Sequence, residues 1–221
     1  LILFPAIVIS LWNCTTTPAE VKTIPNGVEV FADEINLRVQ FYDSNVVRIL
    51  KWIPESTPEK KSLSVIANSN RDLNIRVTED RYSINLNSPA LQVTIDKDDA
   101  EVSFFNSLGE EIVEENGTQF TPVNYASDSA YSVKQIFELT GEEGIYGLGQ
   151  HQYGYMNYRG KKVKLVQSNT DAVNPFLIST RNYGILWDNY SMTIYEDDGI
   201  EEASIWSDVG DNIDYYFVCG D

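Results

Sequence analysis

The sequence predicts an all-β fold, an antiparallel β-sandwich, and three observations support this prediction. Residues 35–41 alternate apolar and polar side chains, which places one face of a strand in a core and the other in water. Turn-forming residues separate segments of this kind at intervals of roughly 8–12 residues, a spacing typical of β-sandwiches. Helical periodicity is not sustained for three turns anywhere in the sequence.

The composition is that of a globular and strongly acidic protein. Apolar residues make up 43% of the 221 residues, and the 13 Tyr, 9 Phe and 4 Trp favour strands. The formal net charge of −17 is spread along the chain, so the surface repels phosphate groups. We therefore expect no nucleic-acid partner and no attraction to anionic membrane surfaces.

The start of the chain differs from the remainder. Residues 1–12 form an apolar run, too short to span a bilayer but as long as the apolar region of a signal peptide. Cys14 follows at once, in a setting similar to a lipoprotein signal, which predicts that Cys14 is lipidated. An ordinary secretory signal and a buried apolar strand are the alternatives. We expect an exported protein, in the periplasm or at the cell surface, that meets a membrane only through this lipid.

Three segments follow from these features. Residues 1–13 are predicted to be the remnant of a signal peptide, residues 14–25 a tether, and residues 26–221 the β-sandwich. The tether segment contains two prolines and few large apolar side chains. Cys219 lies in the apolar run YYFVC, where we expect a buried thiol.

The strands of the sandwich are predicted in order along the chain. The first half of the chain predicts strands at 28–32, 35–41, 46–53, 81–86, 91–95, 102–105 and 111–113. Turn residues separate them, for example Asp43-Ser44-Asn45. The second half predicts strands at 133–139, 163–167, 176–179, 183–187 and 215–219.

Residues 141–158 are predicted to form a loop between these strands. They include five glycines and five Tyr or His rings. Glycine permits positive φ angles, so the loop can fold tightly, and tyrosine offers an apolar face with a polar hydroxyl that suits a sugar ring. A long loop of this composition usually has a binding or docking role.

Residues 144–191 carry four short motifs in a fixed order. They are Tyr146-Gly147-Leu148-Gly149-Gln150, Asn169-Thr170-Asp171, Pro175-Phe176-Leu177-Ile178-Ser179, and Tyr183-Gly184 leading to Trp187-Asp188-Asn189. Together they resemble the amino-terminal, galactose-mutarotase-like sandwich of glycoside hydrolase family 31. Among the members of that family they look most like the bacterial α-xylosidase and α-glucosidase types.

This resemblance implies a non-catalytic domain of a retaining α-glycosidase that removes α-linked xylosyl or glucosyl units from oligosaccharides. Such enzymes need two carboxyl groups about 5–5.5 Å apart, and in this family both lie on a (β/α)8 barrel that follows the sandwich. This sequence contains no βα repeat, so we assign no catalytic residue and expect the chain alone to be inactive. The expected partners are the barrel and an oligosaccharide, and no cofactor is expected.

The resemblance also assigns substrate-binding residues. In the family, the Asn-x-Asp loop contacts the substrate on its leaving-group side, which gives that role to Asp171 with support from Asn169. Gln150 and His151 would line the same rim. Apart from the resemblance, the chemistry of the tyrosine ring predicts that Tyr158 offers its face to a sugar, as do Tyr146, Tyr153 and Tyr155. The alternatives from the residues alone are that Asp171 is a turn residue and that His151 makes a structural hydrogen bond.

The sequence argues against a metal site. His151 is the only histidine of the chain, so neither a histidine-based metal cluster nor a Ser–His triad can form. The acidic turn at residues 96–99 lacks the glycine and the later glutamate of a calcium loop, and we predict a solvated hairpin turn there.

Two further functions stay open at this point. One is a free-standing carbohydrate-binding lipoprotein, in which the aromatic loop alone holds a glycan. The other is a purely structural sandwich that supports its partner domain.

Overall fold

A computed structural model describes residues 19–54, 56, 60–69, 72–125 and 128–220. Within these ranges the chain forms strands and no helix, so no helix there could cross a membrane. The strands are β1 (Glu20–Ile24), β2 (Gly27–Phe31), β3 (Asn36–Asp43), β4 (Val46–Trp52), β5 (Arg76–Glu79), β6 (Ser83–Asn87), β7 (Leu91–Asp96), β8 (Val102–Asn106), β9 (Glu111–Tyr125), β10 (Asp128–Glu138), β11 (Ile145–Gln150), β12 (Lys162–Leu165), β13 (Ala172–Ser179), β14 (Tyr183–Trp187), β15 (Thr193–Asp197), β16 (Glu202–Gly210) and β17 (Ile213–Cys219).

These strands form two sheets. Sheet A has eight strands in the order β1-β2-β3-β4-β17-β14-β13-β11, and sheet B has nine in the order β12-β15-β16-β10-β9-β8-β7-β6-β5. The strand pairs of both sheets are antiparallel. The predicted antiparallel β-sandwich is therefore confirmed.

The last strand of the described chain lies in the middle of sheet A. β17 pairs with β4 on one side and with β14 on the other. Near its end, Cys219 N–H donates to the Asn45 carbonyl oxygen over 2.8 Å, and the Asn45 side-chain amide donates to the Cys219 carbonyl oxygen over 3.0 Å. The first and last described strands, β1 and β17, are thus members of the same sheet.

Aromatic contacts join the two sheets across the core. Phe217 of sheet A stacks on Phe104 of sheet B with ring centroids 4.0 Å apart, and Tyr215 meets Phe137 of sheet B edge-on at 5.5 Å. Alternate residues of each strand face this core, as the pleat of a β-strand requires. Other fully buried members are Val28, Val39, Ile49, Leu86, Val93 and Val133.

One ion pair lies inside this core. The Lys51 Nζ of β4 is 2.6 Å from the Glu115 Oε2 of β9, and both side chains are 0% exposed. Further hydrogen bonds stabilise the pair, since Lys51 also donates to the Thr118 hydroxyl and Glu115 accepts from the Tyr215 hydroxyl and the Val102 N–H. Burial of a charge is costly unless it is paired in this way.

An apolar patch covers part of the outer face of sheet A, on strands β11, β13, β14 and β17. We call it the outer patch, and it consists of Tyr146, Phe176, Ile178, Leu186 and Val218. Strand register makes it continuous, because Tyr146 is paired with Ile178 and Phe176 with Leu186. Tyr146 is 37% and Ile178 48% exposed, so sheet B does not cover this face.

Most of the predicted strands coincide with observed ones, and the differences have physical causes. The segment 20–24, predicted as tether, forms β1, a mostly exposed edge strand with little apolar signal. The predicted loop 141–158 contains β11. Its glycines do not favour a strand, and pairing with β13 stabilises it. Strands β5, β15 and β16 were not predicted from the sequence. The proposed signal peptide remnant over 1–13 and Cys14 lie outside the described residues. Cys219 is buried, as predicted.

Candidate functional site

The predicted loop and the Asn-Thr-Asp motif meet at one edge of sheet A. β11 is the last strand of this sheet, and its final residue, Gln150, pairs with Ala172, the first residue of β13. Residues 151–161 leave β11 at this point, and residues 166–171 lead into β13 there. We call these two segments the first and second edge loop.

Two glycines allow a sharp irregularity in β11 just before the first edge loop. Gly147, Leu148 and Gly149 have φ angles of 99°, 58° and 96°. A Cβ atom on Gly147 would lie 2.4 Å from the Phe176 carbonyl oxygen, and one on Gly149 would lie 2.1 Å from the Ala172 carbonyl oxygen. Only glycine fits both positions. The register of β11 and β13 shifts here, and the Leu148 side chain enters the core.

His151 joins this turn to the second edge loop. Its Nε2 lies 3.0 Å from the Leu148 carbonyl oxygen, and its Nδ1 lies 2.9 Å from the Asp171 Oδ1. The His151 side chain is only 1% exposed. The ring therefore connects the backbone of β11 to the carboxylate of Asp171 in a place that water barely reaches.

The Asp171 carboxylate is also held from within its own loop. Its Oδ2 accepts hydrogen bonds from the Ser168 hydroxyl at 2.8 Å and from the Thr170 hydroxyl at 3.1 Å. The hydrogen bonds from Ser168 and then from His151 lower the pKa of Asp171 below its usual value. The carboxylate is therefore ionised and oriented, and its side chain stays 20% exposed.

Three tyrosines complete a cluster of rings around His151. The Tyr153 ring stacks on the His151 ring at 5.1 Å, and the Tyr155 ring stacks on the Tyr153 ring at 5.6 Å. Tyr158 meets both His151 and Tyr155 edge-on, at 6.4 and 5.6 Å. The Lys161 ammonium lies 5.4 Å from the centroid of the Tyr155 ring, a cation–π contact. Tyr153 is 43% exposed and presents the cluster to solvent.

Hydrogen bonds fix the first edge loop to the sandwich. The Asn157 Oδ1 accepts from the Ile145 N–H at 3.1 Å, and the Tyr158 N–H donates to the Ile145 carbonyl oxygen at 2.7 Å. Farther along, Arg159 forms a 2.9 Å ion pair with the buried Asp197 of β15. The loop is thus tied to both sheets, which explains why its rings keep a defined arrangement.

The structure brings the predicted site residues to one edge but separates their roles. Gln150, Asn169 and Asp171 reach the surface there. Tyr158 does not reach the surface, because it is 5% exposed and belongs to the core. The prediction that its ring contacts a sugar is therefore wrong, and the ring packs against His151 and Tyr155 instead. His151 lies beside Asp171, but its side chain is enclosed, so the prediction that it lines a surface rim is corrected.

Two contributors to this arrangement were not predicted from the sequence, the hydroxyls of Ser168 and Thr170. The sequence carried only a general signal for them, because Ser, Thr, Asn and Asp are common in turns and form local hydrogen bonds there. The sequence did not distinguish Tyr153, the exposed ring of the cluster, from the other tyrosines of the loop. Exposure cannot be read from a run of alternating glycines and tyrosines.

The groups exposed at this edge can exchange hydrogen bonds with hydroxyl groups. The edge combines an ionised carboxylate, the amides of Gln150 and Asn169, and an aromatic face, which are the groups that bind sugar hydroxyls and C–H faces. Asp171 is the only carboxylate of the two edge loops, so these loops cannot supply the two carboxyl groups that glycoside hydrolysis needs. Among the described residues, no group of three or more His, Cys, Asp or Glu side chains is placed to hold a metal ion.

Comparisons with known proteins agree with this fold. An α-xylosidase of Saccharolobus solfataricus is 32% identical over 203 residues, which cover 85% of this chain and 26% of the relative. An uncharacterized family 31 glucosidase of Pseudescherichia vulneris is 33% identical over 107 residues, or 48% of this chain and 19% of that protein.

Solved structures show the same sandwich. The GH31 α-xylosidase from Xanthomonas citri superposes with a TM-score of 0.82 at 20% identity, over 91% of this chain and 39% of that one. The GH31 dextranase of Flavobacterium johnsoniae gives a TM-score of 0.72 at 21% identity, over 93% of this chain and 26% of that one. This chain thus spans 19% to 39% of the length of these relatives.

A family model described as the glycosyl hydrolase 31 N-terminal galactose mutarotase-like domain matches residues 36–196. Members of glycosyl hydrolase family 31 are glycoside hydrolases, and the match covers both edge loops and most strands of the two sheets. The chain therefore belongs to the family of N-terminal galactose mutarotase-like domains of glycosyl hydrolase family 31.

Proposed function

We propose that this chain is the non-catalytic amino-terminal domain of an exported glycoside hydrolase that removes α-linked xylosyl or glucosyl units from oligosaccharides. Relatives named as an α-xylosidase and a family 31 glucosidase support the substrate class. Export, and a lipid on Cys14, are supported by the apolar run that precedes this cysteine.

The observation that carries the proposed role in substrate binding is the preformed Asp171 carboxylate. Its two oxygens are oriented by three hydrogen-bond donors, yet its side chain is still 20% exposed. A carboxylate in a plain turn needs no such support from a second loop. In this role Asp171 accepts hydrogen bonds from sugar hydroxyls, beside the exposed Asn169 and Gln150.

The bond cleavage itself belongs to a partner domain. The edge loops contain a single carboxylate, and a retaining glycosidase needs a nucleophile and an acid/base. In this proposal a (β/α)8 barrel supplies both groups, and the second edge loop completes the rim of its pocket. The chain alone is expected to be inactive.

The outer patch suits the contact with this partner domain. An uncharged, continuous apolar surface on the outer face of a sheet is unusual for a part of a protein that faces water only. The partner domain is therefore expected to cover Tyr146 and Ile178.

The test uses the complete enzyme and the substitution Asp171→Asn, which keeps the shape of the side chain and removes its charge. We expect kcat/KM for an α-linked xylosyl or glucosyl disaccharide to fall about tenfold, as for the loss of one hydrogen bond to a charged group. With the corresponding α-glycosyl fluoride, whose leaving group is a single atom, we expect little change, because the proposed contact is on the leaving-group side.

The matched control is Asp98→Asn, which removes a carboxylate from the exposed turn between β7 and β8. It is expected to leave both activities unchanged. If Asp171→Asn also leaves disaccharide cleavage unchanged, the purely structural sandwich becomes the better description.

A free-standing carbohydrate-binding function has one observation in its favour, the exposed ring of Tyr153. Calorimetric titration of the chain with a xylose-containing oligosaccharide tests it. Binding by the chain alone that is lost in Tyr153→Ala would support this second function, and the proposed function expects no such binding.

A further inference from the structure

The surroundings of His151 determine how many protons its ring can carry. The Leu148 carbonyl oxygen can only accept a hydrogen bond, so the Nε2 at 3.0 Å must carry a proton to bond with it. The Nδ1 lies 2.9 Å from the Asp171 Oδ1, which is also an acceptor. A neutral ring has one proton and would leave one of the two contacts as a repulsion between lone pairs.

The carboxylate cannot easily provide the missing proton. The Asp171 Oδ2 accepts hydrogen bonds from the hydroxyls of Ser168 and Thr170, and these bonds favour the ionised form. The pKa of Asp171 is accordingly lowered, first by Ser168 and then by His151. Both contacts of His151 are satisfied together only when the ring itself carries two protons.

The groups that face the ring are compatible with a positive charge. Asp171 supplies a negative charge from the second edge loop, and β11 supplies the Leu148 carbonyl oxygen. The remaining neighbours are rings of the first edge loop, Tyr153 stacked at 5.1 Å and Tyr158 edge-on at 6.4 Å. Burial raises the pKa of Tyr158, so its hydroxyl stays neutral. The face of Tyr153 stabilises a cation stacked on it.

From this geometry we propose that His151 is a positioning residue whose doubly protonated ring bridges the Leu148 carbonyl oxygen and the Asp171 carboxylate. The bridge holds the second edge loop against the end of β11 and sets the direction in which Asp171 faces. Its relevance to catalysis rests on the proposed function of Asp171, whereas the bridge itself does not. Loss of one proton from His151 breaks one of its two contacts and releases Asp171.

The first experiment measures the bridge directly. Because His151 is the only histidine, the chain labelled with ¹⁵N in histidine gives the NMR signals of one imidazole ring. We expect both ring nitrogens to carry protons at pH 7. In Asp171→Ala we expect a single-proton neutral ring to predominate at that pH, and in the control Asp98→Ala we expect the wild-type signals. A wild-type ring with one proton at pH 7, or an unchanged ring in Asp171→Ala, would overturn the proposal.

The second experiment measures the consequence in the complete enzyme. In His151→Gln we expect KM for the disaccharide to rise about tenfold, with kcat and cleavage of the glycosyl fluoride nearly unchanged. At any pH where the NMR signals show that the ring has lost one proton, the wild-type KM should be raised, and that of His151→Gln should not follow this trend. A parallel pH profile in the two enzymes would show that His151 does not position Asp171.

These measurements separate the two proposals. A doubly protonated ring together with unchanged disaccharide kinetics in Asp171→Asn would refute the proposed function and leave the bridge standing. A singly protonated ring in the wild-type chain would refute the bridge, whatever the kinetics of the complete enzyme.

Discussion

Two contacts between a basic side chain and a carboxylate use similar chemistry for different ends in this domain. The Lys51–Glu115 pair lies in the core and joins sheet A to sheet B, and both side chains are 0% exposed. The His151–Asp171 pair lies at the edge of sheet A and joins two loops, with the imidazole enclosed and the carboxylate 20% exposed. A pair that is buried on both sides can only stabilise a fold, whereas a carboxylate exposed on one side can also meet a ligand.

The hydrogen-bond partners of the two pairs show the same difference. Glu115 receives its other hydrogen bonds from the core, from the Tyr215 hydroxyl and the Val102 N–H. Asp171 receives its other hydrogen bonds from the exposed Ser168 and Thr170 of its own loop. The core pair therefore depends on the packing of the two sheets, and the edge pair depends on local loop geometry that the irregularity in β11 makes possible.

The largest expected effect comes from breaking the core pair. Lys51→Met leaves the Glu115 carboxylate buried without its cation, which should lower the free energy of unfolding by about 3–5 kcal/mol. The double substitution Lys51→Met with Glu115→Leu should restore much of this loss, because no charge then stays buried. Urea denaturation measures both variants.

The matched control is the exposed pair of Lys162 and Glu196, whose side chains are 59% and 56% exposed. Lys162→Met should change the free energy of unfolding by less than about 1 kcal/mol. An equal effect of the two lysine substitutions would contradict the distinction between core and surface pairs.

The next effect concerns the turn that presents the Leu148 carbonyl to His151. Gly149→Ala places a Cβ atom 2.1 Å from the Ala172 carbonyl oxygen at a φ of +96°, which should cost about 2–4 kcal/mol of stability and separate β11 from β13. Gly109→Ala is the control, because its φ is +79° and nothing lies within 4 Å of the added Cβ. That control should cost only about 1 kcal/mol, so thermal unfolding of the two variants isolates the steric conflict.

The smallest expected effect on stability concerns Glu101, which interacts with Lys51 and Glu115, and it depends on pH. Burial, followed by the charge of Asp99, raises the pKa of Glu101 from 4.5 to about 7. The folded state then binds this proton more tightly than the unfolded chain, so stability falls as the pH rises from 4.5 to about 7. Because Glu101 is partly exposed, solvent screening reduces the effect, and Glu101→Gln should gain about 1 kcal/mol at pH 8 and little at pH 4.

Urea denaturation at both pH values checks this prediction, with the exposed Glu142→Gln as the control. The control should show the same pH dependence as the wild-type chain. If Glu101→Gln also keeps the wild-type dependence, another group is responsible for it.

The candidate site was only partly predictable from the sequence. Asp171 and Asn169 followed from the resemblance of their motif, and the structure places them at a surface edge. His151 was predicted to line the rim, but its side chain is enclosed. Tyr158 was predicted to bind a sugar, but it belongs to the core. Their neighbours decide this burial, and those neighbours are the rings of Tyr153 and Tyr155 in the same loop, whose packing is not encoded in any spacing.

The strand pattern was predictable wherever local periodicity carries it. Alternation of side chains at residues 35–41 and turn residues between strands predicted β3 and its neighbours, because the pleat of a strand is a local property. The edge strand β1 was not predicted, since an exposed strand needs no apolar face. β11 was not predicted, because its glycines are required by contacts with a distant segment, the close approach of the Phe176 and Ala172 carbonyl oxygens.

The sequence by itself thus determined the all-β class, the order of most strands and the family to which the chain is similar. Only the tertiary structure decided that Glu115 faces Lys51 across 64 residues of chain and that His151 meets Asp171 across 20. The physical reason is range: periodicity and turn chemistry act between near neighbours, whereas the pairing of charges depends on which strands the two sheets bring side by side.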